Sequence, residues 1–129
     1  MSLNRFIKKI LVVDDDPSIR FLLRLIFESA GYEVLEAQHG VAALIRINDA
    51  LPDLVVTDMM MPVMDGGELI THLRSDPRTA GLRILAVTSN PDSRVAAAAA
   101  DVVMGKPFHQ SSLLASVNSL LSQQELSAG

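Results

Sequence analysis

Residues 53–66 read DLVVTDMMMPVMDG, and the rest of the chain is organised around this stretch. Residues 54–56 form a short apolar run rich in β-branched side chains, which predicts a buried strand. Because a strand buried on both faces should not continue into a carboxylate, we place Asp58 at the carboxyl end of the strand. In an open α/β sheet the ligand crevice lies at that end. Asp65-Gly66 then indicates a loop. Taken by itself, the stretch is explained equally well by a ligand site at Asp58 and by an acidic strand end followed by an ordinary loop.

The composition is that of a globular domain. The chain has 129 residues, of which 49% are hydrophobic, and this is enough for one domain with a sizeable core. A net charge of −4 offers no basic footprint for nucleic acid and no polybasic patch for anionic lipid. The absence of cysteine excludes disulfides and thiolate chemistry, and it is compatible with a reducing cytosol. No stretch approaches the ~18 apolar residues of a membrane span. We therefore expect a cytoplasmic protein without membrane contact.

Five short apolar runs alternate with helix-forming segments along the chain. The runs lie at residues 9–13, 32–37, 54–56, 82–87 and 102–104. Asp16 fits the N-cap of the first helix, with Pro17 as its first residue. The fourth helix is expected to begin at Pro91 and to include the alanine run at residues 96–100. The alternation predicts a parallel sheet with right-handed crossovers, five strands, five helices, and helices on both faces.

Polar side chains collect where these strands end. In a parallel sheet the carboxyl ends share one edge, which would bring together Asp14, Asp15, Asp58, Thr88 and Lys106. Three carboxylates in one crevice repel each other unless some are protonated or a cation binds. All-oxygen ligands suit Mg²⁺, while an ammonium and a hydroxyl can donate to phosphoryl oxygens. This is the equipment for phosphoryl transfer, with Asp58 as the expected nucleophile and an aspartyl phosphate as its product.

Four motifs, in order at the strand ends, resemble the receiver domain of two-component response regulators over essentially the whole chain. They are Val12-Val13-Asp14-Asp15-Asp16, Asp58 with Met61-Pro62 and Asp65-Gly66, Val87-Thr88, and Lys106-Pro107-Phe108. The resemblance implies a single receiver domain over residues 1–129, with a structured core at about 8–122. It also implies a doubly wound, flavodoxin-like sheet with strand order 2-1-3-4-5 and five helices.

The resemblance also implies roles for the acidic residues. Asp58 would accept a phosphoryl group from the phosphohistidine of a sensor histidine kinase or a histidine phosphotransfer protein. Asp14 and Asp15 would form an acidic pair, with Asp15 as a direct Mg²⁺ ligand. Asp58 and the backbone carbonyl of Met60 would complete the protein's Mg²⁺ ligands.

The remaining site residues follow from the same resemblance. Thr88 and Lys106 would bind phosphoryl oxygens, and the Lys106-Pro107 bond resembles one that is cis in the family. The chain would be a signalling switch with intrinsic phosphotransfer and autodephosphorylation activity, not a turnover enzyme. It would control an output domain or target protein that the sequence does not identify. Ser116, Asn118 and Ser119 stand where winged-helix transcription regulators commonly carry arginines, and we expect no direct nucleic-acid binding.

Two departures from the family pattern lie on the segment through which receivers usually transmit their signal. Val103 stands three residues before Lys106, where receivers usually carry Tyr or Phe. Ala99-Ala100-Asp101 replaces a common Gly-Ala-Asp turn. Neither change touches the phosphoryl chemistry.

Two other functions compete with the switch. A haloacid-dehalogenase-type phosphatase would need a second catalytic Asp two residues after Asp58, and Met60 occupies that position. A degenerate receiver would fold without being phosphorylated, but the acidic pair, Thr88 and Lys106 are all present.

The other notable side chains have ordinary structural explanations. His39, His72 and His109 are too scattered to form a metal site and are expected at the surface. Phe21 and Leu25 flank the apolar stripe of the first helix, where we expect them to pack beside the core.

Overall fold

The computed structural model describes residues 7–90 and 96–128, with side chains described as far as Ser122. In chain order the elements are β1 (Lys9–Val13), α1 (Pro17–Ser29), β2 (Glu33–Ala37), α2 (Gly40–Asp49), β3 (Leu54–Asp58), α3 (Gly66–Ser75), β4 (Arg83–Thr88), β5 (Val102–Gly105) and α4 (Gln110–Ala128). Within these ranges no helix combines the length and the apolar composition that crossing a bilayer requires.

The five strands form one parallel sheet in the order β2-β1-β3-β4-β5, which confirms the predicted topology. The three central strands are apolar and buried almost throughout. Val13 pairs with Thr57, and Asp58 pairs with Val87. Asp14, one residue past Val13, therefore lies beside Asp58 at the carboxyl edge of the sheet.

Helices cover both faces of the sheet, as predicted. On one face, α1 and α4 pack on alternate residues of the central strands. The opposite face is covered by α2, by α3 and by residues that follow the gap at 91–95. Both faces are therefore shielded by crossover connections, which explains why the central strands read as continuous apolar runs.

The exposed apolar residues of α1 correct one prediction. The helix buries Leu23, Ile26 and Phe27, whereas Phe21 is 61% and Leu25 is 48% exposed. Each exposed residue lies two positions from Leu23, or about 200° around the helix, so it points away from the sheet. The expectation that Phe21 and Leu25 pack beside the core is therefore wrong.

Three helices begin at capping side chains. Asp16 accepts a hydrogen bond from the Ser18 backbone N–H at 2.8 Å and confirms the predicted cap of α1. At α3, Asp65 and Glu68 form a reciprocal capping box. At α2, His39 Nδ1 accepts from the Ala42 N–H at 3.1 Å. His39 is half-buried, whereas His72 and His109 are exposed as expected.

The prediction of five helices is wrong for the described residues, which contain four. The start of the expected fourth helix, at residues 91–95, lies outside the described residues. Residues 96–100, which we call the alanine segment, form turns with an Ala100 N–H to Ala97 O bond of 2.9 Å. Alanine has high helix propensity but little apolar area to bury, and helices this short are marginal without packing. In this segment Ala97 is fully buried, and its neighbours Ala96, Ala98 and Ala99 are exposed.

Candidate functional site

Three carboxylates meet at the carboxyl edge of the sheet. Asp14 follows β1, Asp15 comes next in the same turn, and Asp58 ends β3. Each offers an oxygen that lies within 4.8 Å of the others. Asp14 is buried, Asp58 is half-buried and Asp15 is exposed, so the cluster opens to solvent on one side. The structure thus brings together the acidic residues that strand ends alone predicted.

Lys106 places a positive charge between two of these carboxylates. Its Nζ lies 3.4 Å from Asp14 Oδ2 and 3.4 Å from Asp58 Oδ1. The residue follows β5, where the Lys106 N–H donates to the Thr88 carbonyl at 2.8 Å. The Lys106-Pro107 peptide bond is cis, as the resemblance to receiver domains implied. When all three carboxylates are ionised, one ammonium leaves two negative charges, which a divalent cation would balance.

The burial of Asp14 has an electrostatic consequence. Desolvation raises the pKa of the Asp14 carboxyl above its ordinary value. The Asp16 backbone N–H, which donates to Asp14 Oδ1 at 2.9 Å, and the nearby Lys106 ammonium both lower this pKa, while Asp58 raises it further. Because burial dominates, ionised Asp14 costs folding free energy, and a bound cation would offset that cost.

The loop after β3 holds Asp58 close to the backbone of α3. Asp58 Oδ1 accepts from the Met59 N–H at 2.8 Å. A Cβ atom on Gly66 would lie 2.3 Å from the Asp58 carbonyl oxygen, so a glycine is required there. This contact gives a physical reason for the Asp-Gly pair quoted above. The Met60 side chain is 59% exposed, and the proposed role of its carbonyl as a ligand stays a prediction.

Thr88 ends β4 at the same edge, and it is buried. Its hydroxyl is bonded within its own loop, accepting from the Asn90 N–H and donating to the Asn90 carbonyl, each at 3.1 Å. To donate to a phosphoryl oxygen, the hydroxyl must give up its bond to the Asn90 carbonyl.

Arg20 is a contact of the site that the sequence reasoning missed. Its Nη1 donates to the Asp14 carbonyl oxygen at 2.6 Å, and its Nε donates to Glu36 Oε1 at 3.1 Å. An arginine one turn into the helix that follows an acidic strand end is a signal that could have indicated this contact. The partner on β2 could not be read without the fold.

The arrangement suits a hard divalent cation better than other metals. Its ligand atoms are carboxylate oxygens, which favour Mg²⁺ over softer metals, and part of the cluster faces solvent, where Mg²⁺ keeps its waters. The ammonium of Lys106 is placed to contact a phosphoryl oxygen at the same edge.

Comparison with known proteins agrees with this geometry. Residues 10–118 match the response regulator receiver domain family. Response regulator MprA of Mycobacterium sp. (strain KMS) is 43% identical over 115 residues, which cover 88% of this chain and 50% of the relative. The DNA-binding dual master transcriptional regulator RpaA of Synechocystis sp. is 35% identical over 117 residues, with coverages of 88% and 48%. The chain thus spans about half the length of these curated relatives.

Solved structures give the same result. Response regulator protein TrrA from Thermotoga maritima, in complex with Mg²⁺-BeF, superposes with a TM-score of 0.82 and 34% sequence identity. The match covers 88% of this chain and 99% of that chain. With the sheet order, the acidic edge and the family match over most of its length in agreement, the chain belongs to the receiver domain family of two-component response regulators.

Proposed function

We propose that the chain is a phosphorylation-dependent switch whose phosphoacceptor is Asp58. The observation that carries the proposal is that residues from β1, β3 and β5 converge on one edge. Asp14, Asp15 and Asp58 offer oxygens within 4.8 Å of one another, and Lys106 lies 3.4 Å from two of these carboxylates. The donor is the phosphohistidine of a sensor histidine kinase or a histidine phosphotransfer protein.

We assign the Mg²⁺ site to Asp14, Asp15, Asp58 and the backbone carbonyl of Met60. The two excess negative charges and the all-oxygen donors of the carboxylates support this choice. The related TrrA structure is a complex with Mg²⁺-BeF, which supports a metal and a phosphoryl-like group at the corresponding edge. When bound, the metal would neutralise charge on phosphoryl oxygens.

The chain's own residues supply the rest of the chemistry. An Asp58 oxygen attacks phosphorus, a P–O bond forms, and the P–N bond to the donor histidine breaks. Lys106 turns its ammonium from the carboxylates to a phosphoryl oxygen, and the Thr88 hydroxyl leaves the Asn90 carbonyl to donate to another. Hydrolysis by water returns Asp58 and releases inorganic phosphate. This autodephosphorylation makes the domain a timed signal and not a turnover enzyme.

The phosphorylated form of the domain controls a partner protein or an output domain that recognises its changed shape. Residues 1–129 act as a single receiver unit in a cytoplasmic protein. The expectation of no direct nucleic-acid binding loses support, because the relative RpaA, about twice as long as this chain, is named as a DNA-binding transcriptional regulator. For residues 1–129 themselves the net charge of −4 still argues against a DNA-binding surface.

Intact-protein mass spectrometry with acetyl phosphate and Mg²⁺ tests the proposal. The wild type should gain the mass of one phosphoryl group, and chelation of Mg²⁺ should remove the gain. Asp58→Asn should show no gain. Asp53→Asn is the matched control, because Asp53 lies just before the same strand and binds the Lys9 N–H at 2.7 Å, away from the carboxyl edge. A gain in Asp58→Asn equal to that of the wild type would contradict the assignment.

A further inference from the structure

We propose that Arg20 is a positioning residue for the Mg²⁺ ligands, acting through the main chain of the acidic turn, residues 14–16. The inference rests on the proposed function, since the property it changes is metal binding at that site. Arg20 lies in the first turns of α1, and its guanidinium reaches back to the carbonyl of Asp14.

The Asp14 carbonyl lies where the sheet stops supplying partners. The Asp14 N–H donates to the Ala37 carbonyl at 3.1 Å as the ladder between β1 and β2 ends. The carbonyl on the other side of Asp14 instead accepts from Arg20 Nη1 at 2.6 Å. It belongs to the planar peptide unit that joins Asp14 to Asp15. Fixing this plane fixes the position of the Asp15 Cα atom, from which the exposed carboxylate extends.

Arg20 is itself held in place from the edge strand. Glu36, on β2, accepts from Arg20 Nε at 3.1 Å, and the two side chains are only 18% and 28% exposed. Glu36 is the neighbour of Ala37, which binds the Asp14 N–H. The two polar groups of the Asp14 backbone are thus tied to the same strand, one directly and one through the Arg20 fork. A planar guanidinium can bridge a carboxylate and a carbonyl in this way, whereas a lysine has a single donor centre.

Arg24, a second arginine on α1, serves as the comparison for Arg20. It lies one turn further along the helix and also binds Glu36, together with Glu28 at 3.2 Å and the Val34 carbonyl at 3.2 Å. These contacts anchor α1 to β2, and none of them involves the acidic turn. A purely structural role for Arg20 therefore predicts that the two arginines behave alike.

Isothermal titration of the full chain with Mg²⁺ separates the two cases. Loss of a partner that orients metal ligands typically weakens binding by about 10-fold or more, and we expect this for Arg20→Gln. Arg24→Gln should keep the wild-type affinity, although denaturant unfolding should show that both variants lose stability. Arg20→Lys should recover part of the affinity, since one ammonium can reach the Asp14 carbonyl. With acetyl phosphate as donor, Arg20→Gln should be phosphorylated more slowly than the wild type at limiting Mg²⁺. This difference in rate should shrink at saturating Mg²⁺.

The outcomes are distinguishable. If wild-type protein binds no Mg²⁺, the proposed function fails. If the wild type binds and Arg20→Gln or Arg20→Lys binds with the same affinity, the inference about Arg20 fails. Equal weakening in Arg20→Gln and Arg24→Gln would assign the effect to the anchoring of α1 and overturn a specific role. Should Arg20→Gln not fold, Arg20→Lys and Glu36→Gln, each compared with Arg24→Gln, decide the question by the same criterion.

Discussion

The two sides of the carboxylate edge are built differently. On the β1 side, Asp14 is bonded through its N–H, its carbonyl and its carboxylate, to Ala37, Arg20 and Asp16 respectively. On the β4 side, the Thr88 hydroxyl bonds to Asn90, two residues further on. Two of the three Asp14 bonds reach other elements, β2 and α1, whereas both bonds of the Thr88 hydroxyl stay within one loop. The comparison indicates that the side proposed to bind Mg²⁺ is held by bonds to other elements, while the Thr88 hydroxyl can change partners within its own loop.

The alanine segment extends this contrast. It buries Ala97, and its backbone receives one side-chain tie from α3, where Arg74 Nε donates to the Ala99 carbonyl at 3.0 Å. Arg74 also donates to the Leu82 carbonyl at 2.6 Å and to Asp101 at 3.1 Å. A segment with small side chains and few ties costs little to displace. We therefore expect the signal from Asp58 to be transmitted through Thr88 into this segment.

The largest stability effect should follow from Arg74→Met. The change removes donors from three backbone carbonyls and from Asp101, and at about 1 kcal/mol for each of the four lost bonds the free energy of unfolding should fall by about 4 kcal/mol. Urea unfolding measures the loss, and amide exchange in residues 96–101 should become faster. Arg78→Met is the control, because Arg78 is exposed and pairs with the nearby Asp76; it should change stability little. Equal effects would show that Arg74 is not a specific tie.

The next prediction concerns Lys106, whose ammonium lies between Asp14 and Asp58. Lys106→Met leaves the buried Asp14 and the half-buried Asp58 without their ammonium, and in the absence of Mg²⁺ the free energy of unfolding should fall by about 2 kcal/mol. Added Mg²⁺ should raise the melting temperature of the variant more than that of the wild type, since the metal no longer competes with Lys106. Lys9→Met, which removes an exposed lysine paired with Glu33, serves as the control. If Mg²⁺ raises the melting temperature of Lys106→Met less than that of the wild type, Lys106 does not share the metal's carboxylates.

A smaller effect, this time an increase in stability, is expected for Asp14→Asn. Burial raises the pKa of Asp14 in the folded state, so wild-type stability is fully present below the unfolded pKa and declines as pH rises through the folded one. The neutral variant lacks this decline and should melt at a higher temperature than the wild type at neutral pH without Mg²⁺. The gain should vanish in acid, and Mg²⁺ should stabilise the variant less. A gain that is the same at all pH values would exclude the electrostatic explanation.

The smallest predicted effect on stability concerns Val63, in the loop between β3 and α3. Val63 has φ of 70° and is 74% exposed, so a β-branched residue holds a left-handed conformation without packing in return. Relief of that strain, less the entropy that glycine loses on folding, should make Val63→Gly more stable by about 0.5 kcal/mol. Val63→Ala keeps the Cβ atom and should give no such gain. The same gain in both variants would assign the effect to the exposed side chain and not to the backbone.

The sheet and its edge could be predicted because their signals are local. A run such as residues 9–13, apolar on both faces, followed at once by Asp14, fixes both a buried strand and a polar residue at its end. The cap at Asp16 is likewise predicted from adjacent residues, whereas the cis Lys106-Pro107 bond was implied by the resemblance to receiver domains. The catalytic and metal roles of Asp58, Asp15, Met60 and Thr88 stay predictions.

What the sequence did not reveal depends on contacts between distant residues. The alanine segment has high helix propensity, yet its conformation depends on tertiary packing that alanines barely provide. The contact of Arg20 with Glu36 joins residues 16 positions apart, and it exists only because the fold places β2 beside α1. Phe21 and Leu25 belong to an apolar-rich helix, and only its orientation on the sheet decides that Phe27 is buried while these two residues are exposed.

Val103 sharpens the question of how the phosphorylated state is transmitted. It is half-buried against the face covered by α2 and α3, and as a β-branched residue it has few rotamers and no ring to relocate. A ring movement, of the kind that the usual Tyr or Phe could make at this position, is therefore not available to this chain. Displacement of the Thr88 loop and the alanine segment is the route that the structure leaves open.

Amide hydrogen exchange with Mg²⁺, in the presence and absence of beryllofluoride as the phosphoryl mimic, tests this claim most directly. The account predicts that protection changes in residues 88–90 and 96–100 exceed those in the acidic turn and β5. Asp58→Asn should show no response to beryllofluoride. Changes confined to the acidic turn, α1 or β5, with an unaltered alanine segment, would contradict the claim that the signal passes from Asp58 through Thr88.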